Sequence, residues 1–261
     1  YTWPWSAISP PTVYPGNAGQ SGVTVTLNLV SKYEDRLGNK VDWNGGNDLQ
    51  AKMASLDYRF SQTVVGNLMR WNSEFPKLQL WQDSGNGPGA DVNTCYGGFW
   101  LHKLYPEEIS ESVWRKVPNS TLYQLNEAYL NYAEALNEYN EGPTQEAYDA
   151  INTIRKRSGQ PDLPTGLGYL EFRAKVRNER AIELAFDGHR FYDIRRWMIA
   201  EEEGVMQGGM LGIKIYQIPE STEYRYEPYV VETRSFSRRM YLHPFGTGEI
   251  NKGYLIQNPG Y

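Results

Sequence analysis

Residues 170–197 of the chain read LEFRAKVRNERAIELAFDGHRFYDIRRW. Apolar side chains recur along this stretch with a period of about 3.6 residues, which places them on one face of a helix. The pair Asp187-Gly188 interrupts the pattern, because glycine inside a helix costs about 1 kcal/mol relative to alanine. The stretch therefore predicts a helix to about Phe186, a turn, and a second short helix. The apolar residues of the pattern are Phe172, Val176, Ile182, Ala185, Phe186, Phe191, Ile194 and Trp197.

The carboxylates of the same stretch allow two interpretations. Glu179, Glu183 and Asp187 follow one another at i,i+4 spacing and so line one strip of the predicted helix. With His189 nearby they could form an acid–base pair, since such catalysis needs titratable groups with different pKa values. Alternatively, arginines at similar spacing neutralise them and hold the helix to its neighbours. Basic residues outnumber acidic ones in this stretch, which favours the structural interpretation.

The run NERAIELAFDGHR at residues 178–190, followed by DIRRW at 193–197, resembles the signature of the SusD/RagB family. Members of that family are nutrient-binding lipoproteins on the outer membrane of Bacteroidetes. Tyr58 stands where the family usually has proline, and Phe245 where it usually has isoleucine. The resemblance implies that the chain corresponds to the C-terminal half of a longer family member. Further similar segments are Leu56–Phe60, Tyr96–Lys103, Tyr123–Glu138, Tyr241–Phe245, Glu249–Asn251 and Gln257–Tyr261.

Composition excludes several classes of protein. The chain of 261 residues has a net charge of −5, so a basic surface for nucleic acid is not expected. Its single cysteine, Cys95, excludes an internal disulfide framework and any multi-cysteine metal site. No apolar run reaches the length of about 18 residues that a membrane-spanning helix needs. The chain also starts without a signal peptide or a lipid-accepting cysteine, which indicates a piece of a longer protein.

Aromatic residues make up 14% of the chain, with 8 Trp and 20 Tyr. Most of the tryptophans lie in residues 1–110, a loop-rich region with many Gly, Asn and Pro residues. An exposed aromatic ring on a polar loop offers a flat apolar surface to a sugar ring, and neighbouring amides and carboxylates bind its hydroxyls. The alternative is that such rings fold back onto the core. The predicted ligand-binding residues are Trp3, Trp5, Trp43, Asn44, Asn47, Asp48 and Trp81.

Residues 111–200 are predicted to form paired helices. A helix is expected from about Thr121 to Glu141, with an apolar face that includes Leu122, Leu125, Tyr129, Ala133 and Leu136. Thr144 is a candidate N-cap for a second helix that stops at Gly159, and the short connection predicts an antiparallel hairpin. Residues 201–261 form an extended closing segment with a strand at 213–216. The fold class is therefore mainly α with extended loops and short β-hairpins, and the resemblance implies a SusD-like scaffold of tetratricopeptide-like helix pairs.

Motifs for metals and cofactors fail on inspection. An EF-hand at Asp42–Asp48 is excluded because Gly46 and Met53 occupy ligand positions. The Gly-rich segment 84–89 has neither the dinucleotide nor the P-loop spacing. No histidine is placed to activate Cys95, and the glutamates of residues 127–141 lack the partner histidines of a di-iron bundle. We therefore expect no cofactor, no metal and no catalytic residue.

The resemblance implies a non-catalytic glycan-binding protein. It would bind an oligosaccharide or polysaccharide at the cell surface and deliver it to a SusC-like TonB-dependent outer-membrane transporter. The protein would face outward and be lipid-anchored through an N-terminal cysteine that this chain does not contain, and the remaining N-terminal half would be its structural partner. The alternatives are peptide binding in the RagB manner, a helical-repeat interaction module, and a glycoside hydrolase. The hydrolase would need two facing carboxylates, for which the candidates are Asp42, Asp48, Asp57, Asp83 and Asp91.

Overall fold

The computed structural model describes residues 25–73, 75–84, 96–103 and 122–261. This part of the chain is mostly helical, with two antiparallel sheets of two strands each. The fold class predicted from the sequence is therefore confirmed. In chain order the elements are α1 (Leu27–Val30), α2 (Leu49–Ser55), α3 (Tyr58–Thr63), β1 (Val64–Val65), β2 (Trp100–Leu101), α4 (Leu125–Tyr139), α5 (Gln145–Arg157), α6 (Tyr169–Glu183), α7 (His189–Arg196), β3 (Gly208–Gln217), β4 (Tyr224–Arg234) and α8 (Thr247–Ile250), with a 3₁₀ turn at Arg238–Tyr241 before α8.

The predicted helical hairpin is present as α4 and α5. The hydroxyl of Thr144 accepts a hydrogen bond from the backbone N of Ala147 at 3.3 Å, which confirms the predicted N-cap. After α5, Gly159 adopts the left-handed conformation at φ +74°, as helix-ending glycines do. The core between α4, α5 and α6 is apolar and closely packed. Its buried residues include Ala133, Ala147, Ile151, Phe172 and Val176.

The stretch at 170–197 folds as two helices joined by a turn, as predicted. The first helix ends at Glu183, earlier than expected, because the chain turns over residues 184–188 and Phe186 adopts φ +64°. Gly188 at φ +85° then precedes α7, where a residue with a Cβ would be strained. The turn thus redirects the chain, and α7 begins at the next residue, His189.

The buried face of α4 overlaps the predicted one but does not extend to its N-terminal residues. Leu130, Ala133 and Asn137 face α5 and α6 and are nearly inaccessible. Leu122 and Leu125, which were predicted to pack inward, are 94% and 69% exposed. Periodicity thus identified the helix and its core-facing side, since Tyr129, Ala133 and Leu136 pack on the core. It also included Leu122, which precedes α4, and Leu125, which lies in the exposed first turn.

A second, larger core lies between the first half of the chain and the β3–β4 hairpin. Trp71, Phe99 and Trp100 are fully buried there. The segment 96–99 approaches β3 closely, and Ile213 donates to the carbonyl of Gly97 at 3.2 Å. A Cβ at Gly212 would lie 2.7 Å from the carbonyl oxygen of Tyr96, so only glycine permits this approach.

The β3–β4 hairpin is longer than the predicted strand at 213–216. Ile215 pairs with Tyr226 and Leu211 with Val230, and a register shift lies between Met210 and Leu211. Such a shift bends a strand and increases its twist. The hairpin therefore curves over the larger core and presents the start of β4 to the loops that precede α2 and follow β1.

Candidate ligand-binding site

The loop at residues 42–48 docks on the start of β4. The backbone N of Gly46 donates to the carbonyl of Tyr226 at 3.1 Å, and the N of Tyr226 donates back to Gly46 at 2.9 Å. Gly45 and Gly46 have φ values of +103° and +146°, which residues with side chains rarely adopt. The two glycines therefore let the loop lie against the strand and hold its polar residues at a defined place.

Trp43 points from this loop into the core. It is only 6% exposed and makes edge-to-face contacts with Phe99 and Tyr226, with ring centroids 6.1 and 6.0 Å apart. The expectation of an exposed Trp43 that stacks on a sugar is wrong, because burial of the indole removes both of its faces from solvent. Its contribution is to anchor the loop, since aromatic pairs of this geometry stabilise packing beyond their buried area.

Trp81 reaches the same region from a different segment and remains partly accessible. Its ring centroid lies 5.1 Å from that of Tyr224, at an interplanar angle of 43°. The next residue, Gln82, donates its backbone N to the carbonyl of Ile215 at 2.7 Å, which fixes the segment against β3. Tyr224 is only 5% exposed and supports the ring of Trp81 from the core side. We call this pair the aromatic platform. The sequence analysis did not single out Tyr224. The available signal was that Tyr224 and Tyr226 alternate along a segment that was predicted to be extended.

The predicted polar partners lie beside the aromatic platform. Asp48 forms a parallel bridge with Tyr224, so the loop and Trp81 meet at the same end of β4. Asn44, Asn47 and Asp48 are all exposed there. The structure thus brings together four of the predicted ligand-binding residues: Asn44, Asn47, Asp48 and Trp81. Trp3 and Trp5 lie outside the described residues, as do Asp91 and Cys95.

Lys52 adds a cation next to these polar groups. Its Nζ donates to the hydroxyl of Tyr226 at 2.6 Å and lies 3.3 Å from Asp48. Burial by itself would lower the pKa of Lys52, but Tyr226 and Asp48 outweigh burial and raise it above the ordinary value. The loop therefore combines carboxylate, amide and ammonium groups, which can accept and donate hydrogen bonds to sugar hydroxyls.

The carboxylates of α6 form a structural ion-pair network. Arg59 of α3 lies 2.7 Å from Glu179 and 2.8 Å from Glu183, and all three side chains are largely buried. Asp187 pairs with Lys103 at 2.6 Å. Each of these acids is neutralised by a cation, which confirms the structural interpretation over an acid–base pair. His189 lies 3.6 Å from Glu127 rather than beside these acids.

Two of the candidate hydrolase carboxylates are occupied by local hydrogen bonds. Asp57 is buried and caps α3, where it accepts from the backbone N of Arg59 at 2.9 Å and from its Nε at 3.0 Å. Asp42 accepts from the backbone N of Asn44 at 3.1 Å. Within the described ranges, no group of three metal-ligating side chains comes together. No helix in the described part of the chain has the length and apolar character needed to cross a membrane.

Comparison with known proteins identifies the family. The chain matches the SusD family model over residues 6–261 and therefore belongs to the SusD family. A curated relative is the SusD-like protein of Formosa agariphila, which is 29% identical over 157 residues. The match covers 58% of this chain and 25% of that relative.

Solved structures share the fold. A SusD-like protein of Bacteroides fragilis superimposes with a TM-score of 0.79 at 24% identity, over 98% of this chain and 51% of its own. A SusD-like carbohydrate-binding protein of the same species gives 0.66 at 24% identity, over 90% and 48%. A SusD homologue from Bacteroides thetaiotaomicron gives 0.53 at 26% identity, over 78% and 41%. The chain thus spans about half the length of the first of these structures.

Proposed function

We propose that this chain is part of a non-catalytic, cell-surface glycan-binding protein that delivers oligosaccharide to a SusC-like TonB-dependent outer-membrane transporter. The observation that carries the proposal is the match to the SusD family over nearly the whole chain. A solved protein with the same fold is described as a carbohydrate-binding protein. In this proposal the protein is held outside the outer membrane by a lipid anchor.

The aromatic platform supports the glycan-binding part of the proposal. Trp81 is tilted against Tyr224, and exposed amide and carboxylate groups of the adjoining loop lie beside it. A half-buried indole offers an apolar face, while the neighbouring groups match sugar hydroxyls. We propose that Trp81 contacts a sugar ring and that Asn44, Asn47 and Asp48 bind its hydroxyl groups.

The paired carboxylates support the absence of catalysis. A glycoside hydrolase needs one carboxyl group with a raised pKa and a second one facing it across the substrate. Asp57, Glu179 and Glu183 are instead paired with the guanidinium of Arg59. Burial by itself would raise the pKa of Glu183, but hydrogen bonds from Asn126, Arg59 and Arg157 lower it, which is the opposite of what a general acid needs.

A glycan array probed with the full-length polypeptide tests the binding role. We expect retention of particular oligosaccharides and an affinity loss of at least about tenfold in Trp81→Ala, since stacking and burial of one ring contribute more than about 1.4 kcal/mol. Tyr192→Ala is the control, because Tyr192 is an exposed ring on α7. Incubation with labelled oligosaccharides tests catalysis in parallel. Release of shorter products, or binding of peptides in place of glycans, would contradict the proposal.

The exposed face of α4 supports a second element of the proposal, a structural partner for the helices. Leu125, Tyr132 and Tyr139 recur every seven residues and are 69%, 51% and 88% exposed. Such spacing is typical of a seam that receives another helix. We propose that the remaining part of the full-length polypeptide covers this seam, since the solved relatives have about twice the chain matched here.

A further inference from the structure

Three cationic side chains lie in one region of the molecule, where α6 contacts the residue that follows α1 and where Trp197 contacts two arginines. Lys32 follows α1, Arg177 lies on α6 and Arg190 lies in the first turn of α7. The side-chain amide of Asn178 donates to the carbonyl of Lys32 at 2.9 Å, which fixes Lys32 beside α6. The guanidinium carbons of Arg177 and Arg190 lie 4.7 and 5.9 Å from the ring centroid of Trp197. Trp197 is therefore next to both guanidinium groups, and also to that of Arg196, which lies 4.7 Å from the same centroid and is already paired with Glu134 and Asp193.

None of these three cations forms an ion pair with another residue in the described part of the chain. Glu202, which is exposed, is the acid near all three of them, and it carries one negative charge against three positive charges. The other acids in the vicinity are already bound by different arginines. Asp193 accepts from Arg180 and Arg196, Glu134 from Arg196, and Glu138 from Arg173.

The cations also lie in a partly desolvated environment. Burial, and then the charge of Arg190, lower the pKa of the Lys32 ammonium. Burial lowers the pKa of Arg190 although Asp193 and Glu202 act in the opposite direction, and Arg177 lowers it further. The Nε of Arg177 is buried and has no hydrogen-bond partner among the described residues. The positive charge is thus only partly compensated by Glu202, and a bound anion would relieve the repulsion and accept from the unpaired Nε of Arg177.

We propose that Lys32, Arg177 and Arg190 bind a tetrahedral oxyanion, as a free sulfate or phosphate ion or as the sulfate ester of a sugar. Guanidinium groups bind such oxygens in pairs through two parallel N–H donors, and an ammonium adds a compact point charge. A neutral sugar offers no charge to this site. Oxyanion binding here does not depend on ligand binding at the aromatic platform.

Calorimetric titration with sodium sulfate, against sodium chloride at equal ionic strength, tests the site in the full chain. Sulfate stabilises folded proteins in general, so the difference between variants is the criterion. We expect Arg190→Gln to weaken sulfate binding at least about tenfold, since a charge-assisted hydrogen bond exceeds about 1.4 kcal/mol. Without sulfate, Arg190→Gln should unfold at the same temperature as the native chain or higher, because repulsion is reduced.

Arg225→Gln is the matched control, because Arg225 is half-exposed on β4 and already pairs with Glu227. It should retain the sulfate affinity of the native chain. Lys32→Gln provides a second variant on a different element, with the same expected loss of affinity. Equal sulfate affinity in the native chain, Arg190→Gln and Lys32→Gln would overturn the proposal.

The side-chain Nε–Hε signals of Arg177 and Arg190 in NMR spectra report on the site directly. Sulfate should shift both signals and leave the signal of Arg225 unchanged. Inorganic phosphate, glucose 6-sulfate and glucose distinguish the sources of the ligand. A response to the inorganic ions supports a free-ion site, and a response to glucose 6-sulfate alone supports a sulfated sugar. No response to any anion, or an equal response to glucose, contradicts the proposal.

Discussion

The Nη1 atom of Arg59 lies 2.7 Å from Oε1 of Glu179 and joins α3 to the buried face of α6. The same atom donates to Glu183 at 2.8 Å, and Asp57 accepts from the Nε of Arg59 at 3.0 Å. Burial by itself would lower the pKa of Arg59, but these carboxylates outweigh burial and raise it above the ordinary value. One guanidinium therefore compensates buried acids from two segments that are far apart in the chain.

Replacement of Arg59 by glutamine should destabilise the chain strongly. It leaves Glu179 and Glu183 buried without their shared cation, and breaking a buried pair costs about 3–5 kcal/mol. Arg157→Gln is the matched control, because Arg157 also pairs with Glu183 but its side chain is 58% exposed. It should cost less than about 1 kcal/mol. Urea denaturation measures both losses, and similar values for the two variants would contradict a buried role for Arg59.

Acid should weaken the fold through Glu183. Burial by itself would raise the pKa of this carboxyl, but hydrogen bonds from Asn126, Arg59 and Arg157 outweigh it and lower the pKa below its ordinary value of 4.5. A group with a lowered pKa in the folded state stabilises the protein above its unfolded pKa, and this contribution is lost as the pH falls. The free energy of unfolding should therefore decrease below about pH 4.5. Glu183→Gln should flatten that decrease, whereas Glu146→Gln at an exposed position should not.

Alkali should weaken the fold through Tyr33. Burial raises the pKa of its hydroxyl from 10.0 to about 12, while the ring packs edge-to-face on Phe60 at 5.5 Å. The unfolded chain loses this proton first, so the contribution is complete below about pH 10 and is lost as the pH rises to about 12. Tyr33→Phe should remove roughly 2–3 kcal/mol of that loss, at about 1.4 kcal/mol per pKa unit. Denaturation at a series of pH values checks this, with Tyr58→Phe at an exposed ring as the control.

The two described tryptophans of the predicted ligand set should respond differently to truncation. Trp43→Ala removes a buried ring from the larger core and should cost about 3–5 kcal/mol of stability. Trp81→Ala should cost clearly less, because its ring is partly exposed, while it removes the proposed sugar contact. Thermal denaturation of both variants makes the comparison. A large stability loss in Trp81→Ala with unchanged glycan binding would assign Trp81 to the core instead.

The exposed seam of α4 should become buried in the full-length polypeptide. Leu125→Glu should then destabilise it by about 1.5–3 kcal/mol, the range for burial of a leucine side chain. In the 261-residue chain, where Leu125 is 69% exposed, the same substitution should be nearly neutral. Chemical denaturation of both lengths of protein provides the comparison. Equal effects in the two would show that nothing covers the seam.

Local signals in the sequence determined the helices and where several of them begin and end. Thr144 caps α5 and Gly159 ends it because each acts on backbone groups within a few residues. Gly188 reverses the chain before α7 for the same reason. The excess of arginine in 170–197 was likewise enough to predict that the acids of α6 are neutralised. The resemblance to the SusD family rests on the same residues and was confirmed over 6–261.

Tertiary structure alone decided which aromatic rings face solvent and which groups meet. Trp43 and Trp81 both stand in polar segments, and both contact β4. Trp43 is buried between Phe99 and Tyr226, whereas Trp81 packs on Tyr224 and stays partly exposed. Lys32, Arg177 and Arg190 come from three separate segments, and long-range contacts such as the hydrogen bond from Asn178 to the carbonyl of Lys32 bring them into one region. Burial and charge pairing depend on residues distant in the chain, whereas caps and turns depend on near neighbours. The sequence therefore determined the elements and the family, and packing determined the sites.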